Sequence, residues 1–145
     1  MSRIAFASLL ALCCAPLLAC GGPARSVGTP PFQALTIEEA LKRAKAQNKV
    51  VFLDLYATWC GPCKMLDETT WKDAEVKRWL GEHAVAIKID ADKNRDVAER
   101  FELHAFPTLV FTWHTGAEIG RMVGYRDPQS FLEEARKLVE KDRGN

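Results

Sequence analysis

Cys60 and Cys63 stand three residues apart in Trp59-Cys60-Gly61-Pro62-Cys63-Lys64, directly behind the apolar run Val50-Val51-Phe52-Leu53-Asp54-Leu55-Tyr56. A strand therefore delivers two thiols to the start of a helix. The first turn of a helix has backbone N–H groups with no intrahelical partner, and these stabilise a thiolate. Residues i and i+3 share a helix face, so Cys63 can reach back to Cys60 and close a disulfide. That is the chemistry of thiol–disulfide exchange. Structural zinc is another use of a C-x-x-C pair, but it takes four ligands, usually from two such pairs, and the sequence has no second pair.

The two cysteines have different expected tasks. Cys60, nearest the orphan amides, is the candidate nucleophile and is expected to be the more exposed. It would attack a substrate disulfide and form a mixed disulfide, which Cys63 would then resolve. Cys63 must first lose a proton, and Asp54 is the candidate acceptor. Asp54 interrupts an apolar strand, where an unpaired carboxylate is costly and holds its proton more tightly. The alternative is a strand-end carboxylate facing solvent.

The hexapeptide resembles the thioredoxin active site. The stretch from Asp54 to Cys60 is similar to thioredoxin-like periplasmic domains such as the C-terminal domain of the DsbD-type membrane reductase. The resemblance runs from about residue 41 to about residue 138. It implies that Cys60 and Cys63 form a redox disulfide and that Asp54, six residues before Cys60, is the family's buried acid. Lys88 falls where the family often places a lysine partner for that acid; the alternative is an exposed strand residue. Trp59 would shape the rim of the site. Pro107, in Ala105-Phe106-Pro107-Thr108, matches the family's cis-proline. Its loop would lie beside Cys60 and offer Phe106 backbone groups to an extended substrate, as in strand addition. Gly124 would line the other side of that groove, or be a plain strand-end glycine. Gly61 and Pro62 complete the groove, and their dipeptide resembles reducing thioredoxins. Trp71, Trp79 and Trp113 read as core. His83, His104 and His114 read as surface, and only His104, near Pro107, could approach the site.

The elements that must position these residues follow from capping and periodicity. Thr36-Ile37-Glu38-Glu39 is a capping box opening a helix that stops near Asn48. Residues 49–56 read as a central strand, apolar on both faces. The helix beginning at Cys60 is expected to carry Met65 and Leu66 inward. Further helices are expected over residues 73–80 and 95–103, the latter with Val97, Ala98 and Phe101 inward. A strand is expected over 84–89, and a hairpin over 108–113 and 118–123 joined by His114-Thr115-Gly116-Ala117. Pro128 and the spacing of Phe131, Leu132, Ala135 and Leu138 give a final amphipathic helix. This order is similar to the thioredoxin fold: an α/β domain with a four-stranded mixed sheet and helices on both faces.

The chain's 145 residues suffice for one such domain, and a net charge of +1 gives no basic surface for nucleic acid. Residues 1–19 read as a signal peptide: Arg3, then an apolar run interrupted by Pro16 and too short for a comfortable membrane span. Leu17-Leu18-Ala19-Cys20 resembles a bacterial lipobox, whose cysteine is lipidated and becomes the first mature residue; the alternative is an ordinary secretory signal. Cleavage there removes nineteen residues, including one basic one, and leaves 126 with 19 basic and 19 acidic side chains. It also removes Cys13 and Cys14, so that beside the lipidated Cys20 only Cys60 and Cys63 remain, in a compartment that permits disulfides. Residues 20–34, rich in Gly and Pro, read as the lipidated cysteine and a flexible tether, and residues 35–145 as the domain.

The sequence therefore reads as a monomeric, membrane-tethered thiol:disulfide oxidoreductase of the cell envelope, reducing protein disulfides through Cys60 and Cys63 without cofactor or metal. A DsbD-type transmembrane reductase is the expected electron donor. Two other readings are a Cu(I)-binding module built on Cys60, Cys63 and His104, since soft thiolates suit that ion, and a redox-inert peptide-binding domain. The first lacks a methionine cluster; Asp54 and the intact cysteines count against the second.

Overall fold

A computed structural model describes residues 31–143. The expected signal segment, Cys20 and the expected tether up to residue 30 lie outside the described residues. Helix α1 (Ile37–Gln47) leads into strand β1 (Val50–Tyr56) and helix α2 (Gly61–Glu68). A 3-10 turn (Thr70–Lys72), helix α3 (Ala74–His83), strand β2 (Ala84–Asp90) and helix α4 (Arg95–Arg100) follow. Strands β3 (Thr108–Thr112) and β4 (Glu118–Val123) form a hairpin before helix α5 (Pro128–Arg143). The sheet order is β2-β1-β3-β4, with β1 parallel to β2 and antiparallel to β3. This is the thioredoxin fold expected from the sequence.

Local signals account for most boundaries. Thr36 Oγ1 accepts from Glu39 N–H and the Glu39 carboxylate accepts from Thr36 N–H, so the capping box is complete. Asn48 ends α1 in the left-handed region (φ 52°). Asp73 caps α3 by accepting from Glu75 and Val76 N–H. That helix runs three residues past the expected Leu80. Helix α4 is shorter than expected. Phe101 is its C-cap, and Glu102 turns left-handed (φ 49°), so the chain leaves the helix before Leu103.

Alternation along the strands divides the core between two faces. Val51, Leu53, Leu55, Val85, Ile87 and Val110 meet α1 and α4 through Ile37, Ala40, Ala44 and Val97. Val50, Phe52, Ala84, Ala86, Leu109 and Phe111 meet Leu66, Val76, Trp79 and α5. Phe131 of α5 is fully buried there between Phe52 and Trp71. Burying such a ring contributes about 1.5–3 kcal/mol. Trp71, Trp79 and Trp113 belong to this second core or pack against it, but Trp113 stands past the end of β3, in the turn rather than in the strand.

Two further expectations need correction. Met65 is 48% exposed. Cys63 and Leu66, three apart, form the inward stripe of α2, and Met65, one step from Leu66, turns away from it. The boundary expected after residue 34 also moves, because residues 32 and 33 already pack on the domain. Phe32 bridges Ala86 in parallel, Gln33 N–H donates to the Ala86 carbonyl at 2.8 Å, and the Phe32 ring packs against Phe52 and Trp71. Residues 32 and 33 thus extend the sheet at the outer edge of β2.

Candidate active site

The end of β1 and the start of α2 build the site around one turn. Cys60 N–H donates to the Ala57 carbonyl at 3.1 Å, and Pro62 stands in the first turn of α2, where no N–H is missed. Cys60 is the N-cap rather than the first helical residue, and its Sγ accepts from Cys63 N–H at 3.1 Å. The sulfur occupies the place of a capping oxygen, so on reduction that N–H is in position to hold a thiolate. Cys60 and Cys63 are joined as a disulfide, with Cα atoms 5.3 Å apart.

Cys60 was expected to be the more exposed. Both are buried, at 3% and 2%. Closing the disulfide holds Cys60 Sγ back over the helix start, and Tyr56, Ala57 and Phe106 pack around the pair. Access lies at the rim. Trp59 is 68% exposed, stands edge-on to Phe106 at 5.7 Å and donates through Nε1 to Asp92 Oδ2 at 2.9 Å. Gly61 and Pro62 are exposed beside it. The Phe106–Pro107 peptide is cis. Gly124, with φ 86°, donates its N–H to the Pro107 carbonyl at 2.8 Å, so the two groove residues are bonded to each other. A left-handed φ suits glycine because other side chains meet a carbonyl there. His104 is exposed on the segment leading to Pro107.

The strand register builds a charge cluster on β1 and β2. Asp54 is paired with Lys88 across β1 and β2, and both point to the face that holds Trp71. Asp54 is wholly buried. Its Oδ2 accepts from Lys88 Nζ at 2.9 Å and from Trp71 Nε1 at 3.0 Å, while Oδ1 has no hydrogen-bond partner. Burial holds the Asp54 carboxyl above the usual carboxylate range, against the pull of Lys88 and Trp71. Lys88 also donates to Asp67 Oδ1 at 2.5 Å, and its ammonium stands 4.7 Å from the Tyr56 ring centre and 5.6 Å from that of Phe32. Burial pulls Lys88 down, but the charges and hydrogen bonds of Asp54 and Asp67 outweigh it and hold Lys88 above its ordinary value.

The structure thus brings Cys60, Cys63, Trp59 and Phe106 together at the rim, joins Pro107 to Gly124, and sets Asp54 against Lys88. Sequence reasoning missed four contributors. Trp71 read as core alone, although a buried indole N–H needs an acceptor and Asp54 needs donors. Asp67 stands four residues after Cys63, one helical turn along, which is a usable signal. Asp92 and Phe32 reach the site from 33 and 56 residues away from Trp59 and Lys88, respectively, and no spacing announces them. Among the described residues, no group of three His, Cys, Asp or Glu side chains is placed to hold a metal ion. The Cu(I) reading therefore keeps only its two sulfurs.

A family model described as a thioredoxin-like domain matches residues 37–138. The thioredoxin of Echinococcus granulosus is 41% identical over 86 residues, covering 59% of this chain and 76% of that protein. A solution structure from Bacteroides thetaiotaomicron, described as a disulphide-isomerase, is 36% identical with a TM-score of 0.68, covering 75% of this chain and 92% of its own. A thioredoxin from Thermus thermophilus is 26% identical with a TM-score of 0.65, covering 75% and 88%.

Proposed function

The chain belongs to the thioredoxin-like domain family, and from that premise we propose that it is a membrane-tethered thiol:disulfide oxidoreductase that reduces protein disulfides in a bacterial cell envelope. The observation that carries the chemistry is Cys60 Sγ at the N-cap of α2, disulfide-bonded to Cys63. The reaction balances without a cofactor. The Cys60 thiolate attacks one sulfur of a substrate disulfide, that bond breaks, and the departing sulfur takes a proton. Cys63 gives its proton to Asp54 and attacks Cys60, which releases the second substrate sulfur. The substrate gains two electrons and the domain ends as the Cys60–Cys63 disulfide.

The direction of flow rests on Gly61-Pro62, whose resemblance is to reducing thioredoxins. It is a bounded cue. Thioredoxin and the oxidant DsbA differ by about 150 mV, or about 7 kcal/mol at 30 mV per 1.4 kcal/mol, a gap that partner supply and surroundings can override. In an oxidising compartment a reductase must be re-reduced, and a DsbD-type transmembrane reductase would supply the electrons. The deciding measurement is the reduction potential of the Cys60–Cys63 couple. A value near thioredoxin's, together with insulin reduction, supports the reductase reading. A value near DsbA's makes the domain an oxidant and overturns it.

The location rests on Leu17-Leu18-Ala19-Cys20 and the Gly/Pro-rich stretch behind it. One acyl chain gives marginal membrane binding, whereas two anchor stably. Bacterial lipoproteins carry a diacylglyceryl group on this cysteine. The leash from Gly21 to Pro31 would reach at most ~40 Å at about 3.3–3.6 Å per residue. Gly21 in place of Asp favours, by resemblance to Gram-negative sorting signals, the periplasmic face of the outer membrane. Expressed in a bacterial host, the full chain should fractionate with membranes and Cys20→Ala should not. A processed wild-type protein that stays soluble, with no lipid mass on its N-terminal peptide, would show an ordinary secreted domain instead.

A further inference from the structure

Phe32 is where the leash meets the domain, and its ring lands on both groups that donate to Asp54. It stands edge-on to Trp71 at 5.4 Å, and Lys88 Nζ lies 5.6 Å from its centre. Trp71 and Lys88 are the two donors to Asp54 Oδ2. The backbone holds Phe32 in place through the bridge to Ala86 and the Gln33 N–H bond to the Ala86 carbonyl. Gln33 is fixed in turn by Arg43 Nη1, which donates to its Oε1 at 2.6 Å. Ala86 precedes Lys88 by two residues, so both point to the same face of β2. Placement on that face is therefore built into the strand addition and does not depend on the ring alone.

The ring acts chiefly as a shield. Trp71 has further supports in Phe52 and Phe131, and Lys88 has them in Asp67 and Tyr56. Removing the Phe32 ring leaves those supports standing but opens the cluster to water from the edge of the sheet. We propose that Phe32 is a positioning residue for Asp54: by keeping water from the Lys88–Asp54–Trp71 cluster, the N-terminal arm sets the proton affinity of the buried acid. Under the proposed tethering, the arm is also the segment that follows the leash. The consequence for turnover rests on the reading of Asp54 as the acceptor of the Cys63 proton. The proton affinity itself does not rest on it.

The sign follows from the groups around Asp54. In the oxidised protein the cysteines do not titrate, and the charges acting on Asp54 are those of Lys88 on β2 and Asp67 on α2. Tyr56, on β1, lies with its ring against Lys88. Burial is the largest influence on Asp54 and raises its proton affinity. Admitting water relieves it, so the carboxyl ionises at lower pH once the ring is gone. Loosening Lys88 would act the other way, but Asp67 and Tyr56 still hold that side chain.

The test is the 13C titration of the Asp54 carboxyl in the oxidised full chain, which needs no turnover. Phe32→Ala should move the inflection down by about half a pH unit or more. Phe32→Leu, which keeps an apolar cover, should restore most of it. Leu132→Ala, a cavity in the same core on α5, should lower the melting temperature and leave the inflection where it was. An unmoved or upward inflection in Phe32→Ala overturns the proposal, and so does an equal shift in Leu132→Ala. If Phe32→Ala does not fold, Phe32→Val should show a smaller downward shift, and a wild-type inflection there is equally fatal. A chain that failed to reduce insulin would still show whether Phe32 sets the inflection, so the two readings fail separately.

Discussion

Cys60→Ser is expected to reduce disulfides no faster than the solution background, whereas Cys63→Ser is expected to accumulate one mixed disulfide per chain. The asymmetry comes from the helix start. Cys60 Sγ is the N-cap acceptor of Cys63 N–H, so its thiolate is the one that the orphan amides hold. A serine there has a hydroxyl whose proton it does not lose near neutrality, and no other thiolate in the site can take over the attack. Cys63 lies within the first turn of α2 and is needed only afterwards, to displace substrate from Cys60. Its loss leaves the first step intact and blocks the second. Insulin turnover and mass spectrometry of trapped adducts read both steps. Wild-type turnover by Cys60→Ser, or a substrate adduct on Cys63 in place of Cys60, would sink the assignment. The substrates trapped on Cys63→Ser would also identify which disulfides the domain acts on.

What could be read from the sequence depended on how far apart the interacting residues are. The α1 boundaries were legible because caps are local: Thr36, Glu39 and Asn48 each act within a few residues. The Cys60–Cys63 chemistry was legible for the same reason. Asp54 could be singled out because a carboxylate in an apolar run demands an explanation, and its burial follows from the strand's central place in the sheet. Lys88 needed more. Its pairing with Asp54 depends on the β1–β2 register, which resemblance supplied and spacing did not. Phe32 was hidden by its neighbourhood. It follows two prolines in a stretch without periodicity, and its place on the edge of β2 arises from pairing with residues more than fifty positions away. The hydrogen bond from Trp59 to Asp92 was hidden likewise. Met65 was misjudged within a correctly placed helix, since the inward stripe of so short an element follows Cys63 and Leu66 and leaves little room for a third side chain.

Asp54→Asn should slow resolution by Cys63 about a hundredfold and, at neutral pH, make the domain more stable. A positioned general base contributes roughly 10²–10⁴ in rate, and the expected loss is set at the lower end of that range. The initial attack by Cys60 should keep its rate, so the mixed disulfide of the variant should build up transiently. The stability effect has the opposite sign because burial raises the proton affinity of Asp54 in the fold above its unfolded value. The fold therefore favours the protonated acid. Its stabilising contribution is complete below the ordinary carboxylate range, falls as pH rises through that range towards the folded value, and leaves a constant penalty above it. Asparagine carries no such penalty. Lys88 loses one carboxylate in the variant but keeps Asp67 at 2.5 Å, with 19% of its side chain open to water, so it is not stranded. The gain in melting temperature should accordingly be present at pH 7 and vanish below about pH 4, where the wild-type acid is protonated in both states. Quenched single-turnover reactions and melts across pH 3–8 separate the two effects. A variant that resolves mixed disulfides at the wild-type rate across neutral pH would show that Asp54 does not take the Cys63 proton. A stability gain that persists undiminished at pH 3 would show that its buried charge is not what the fold resists.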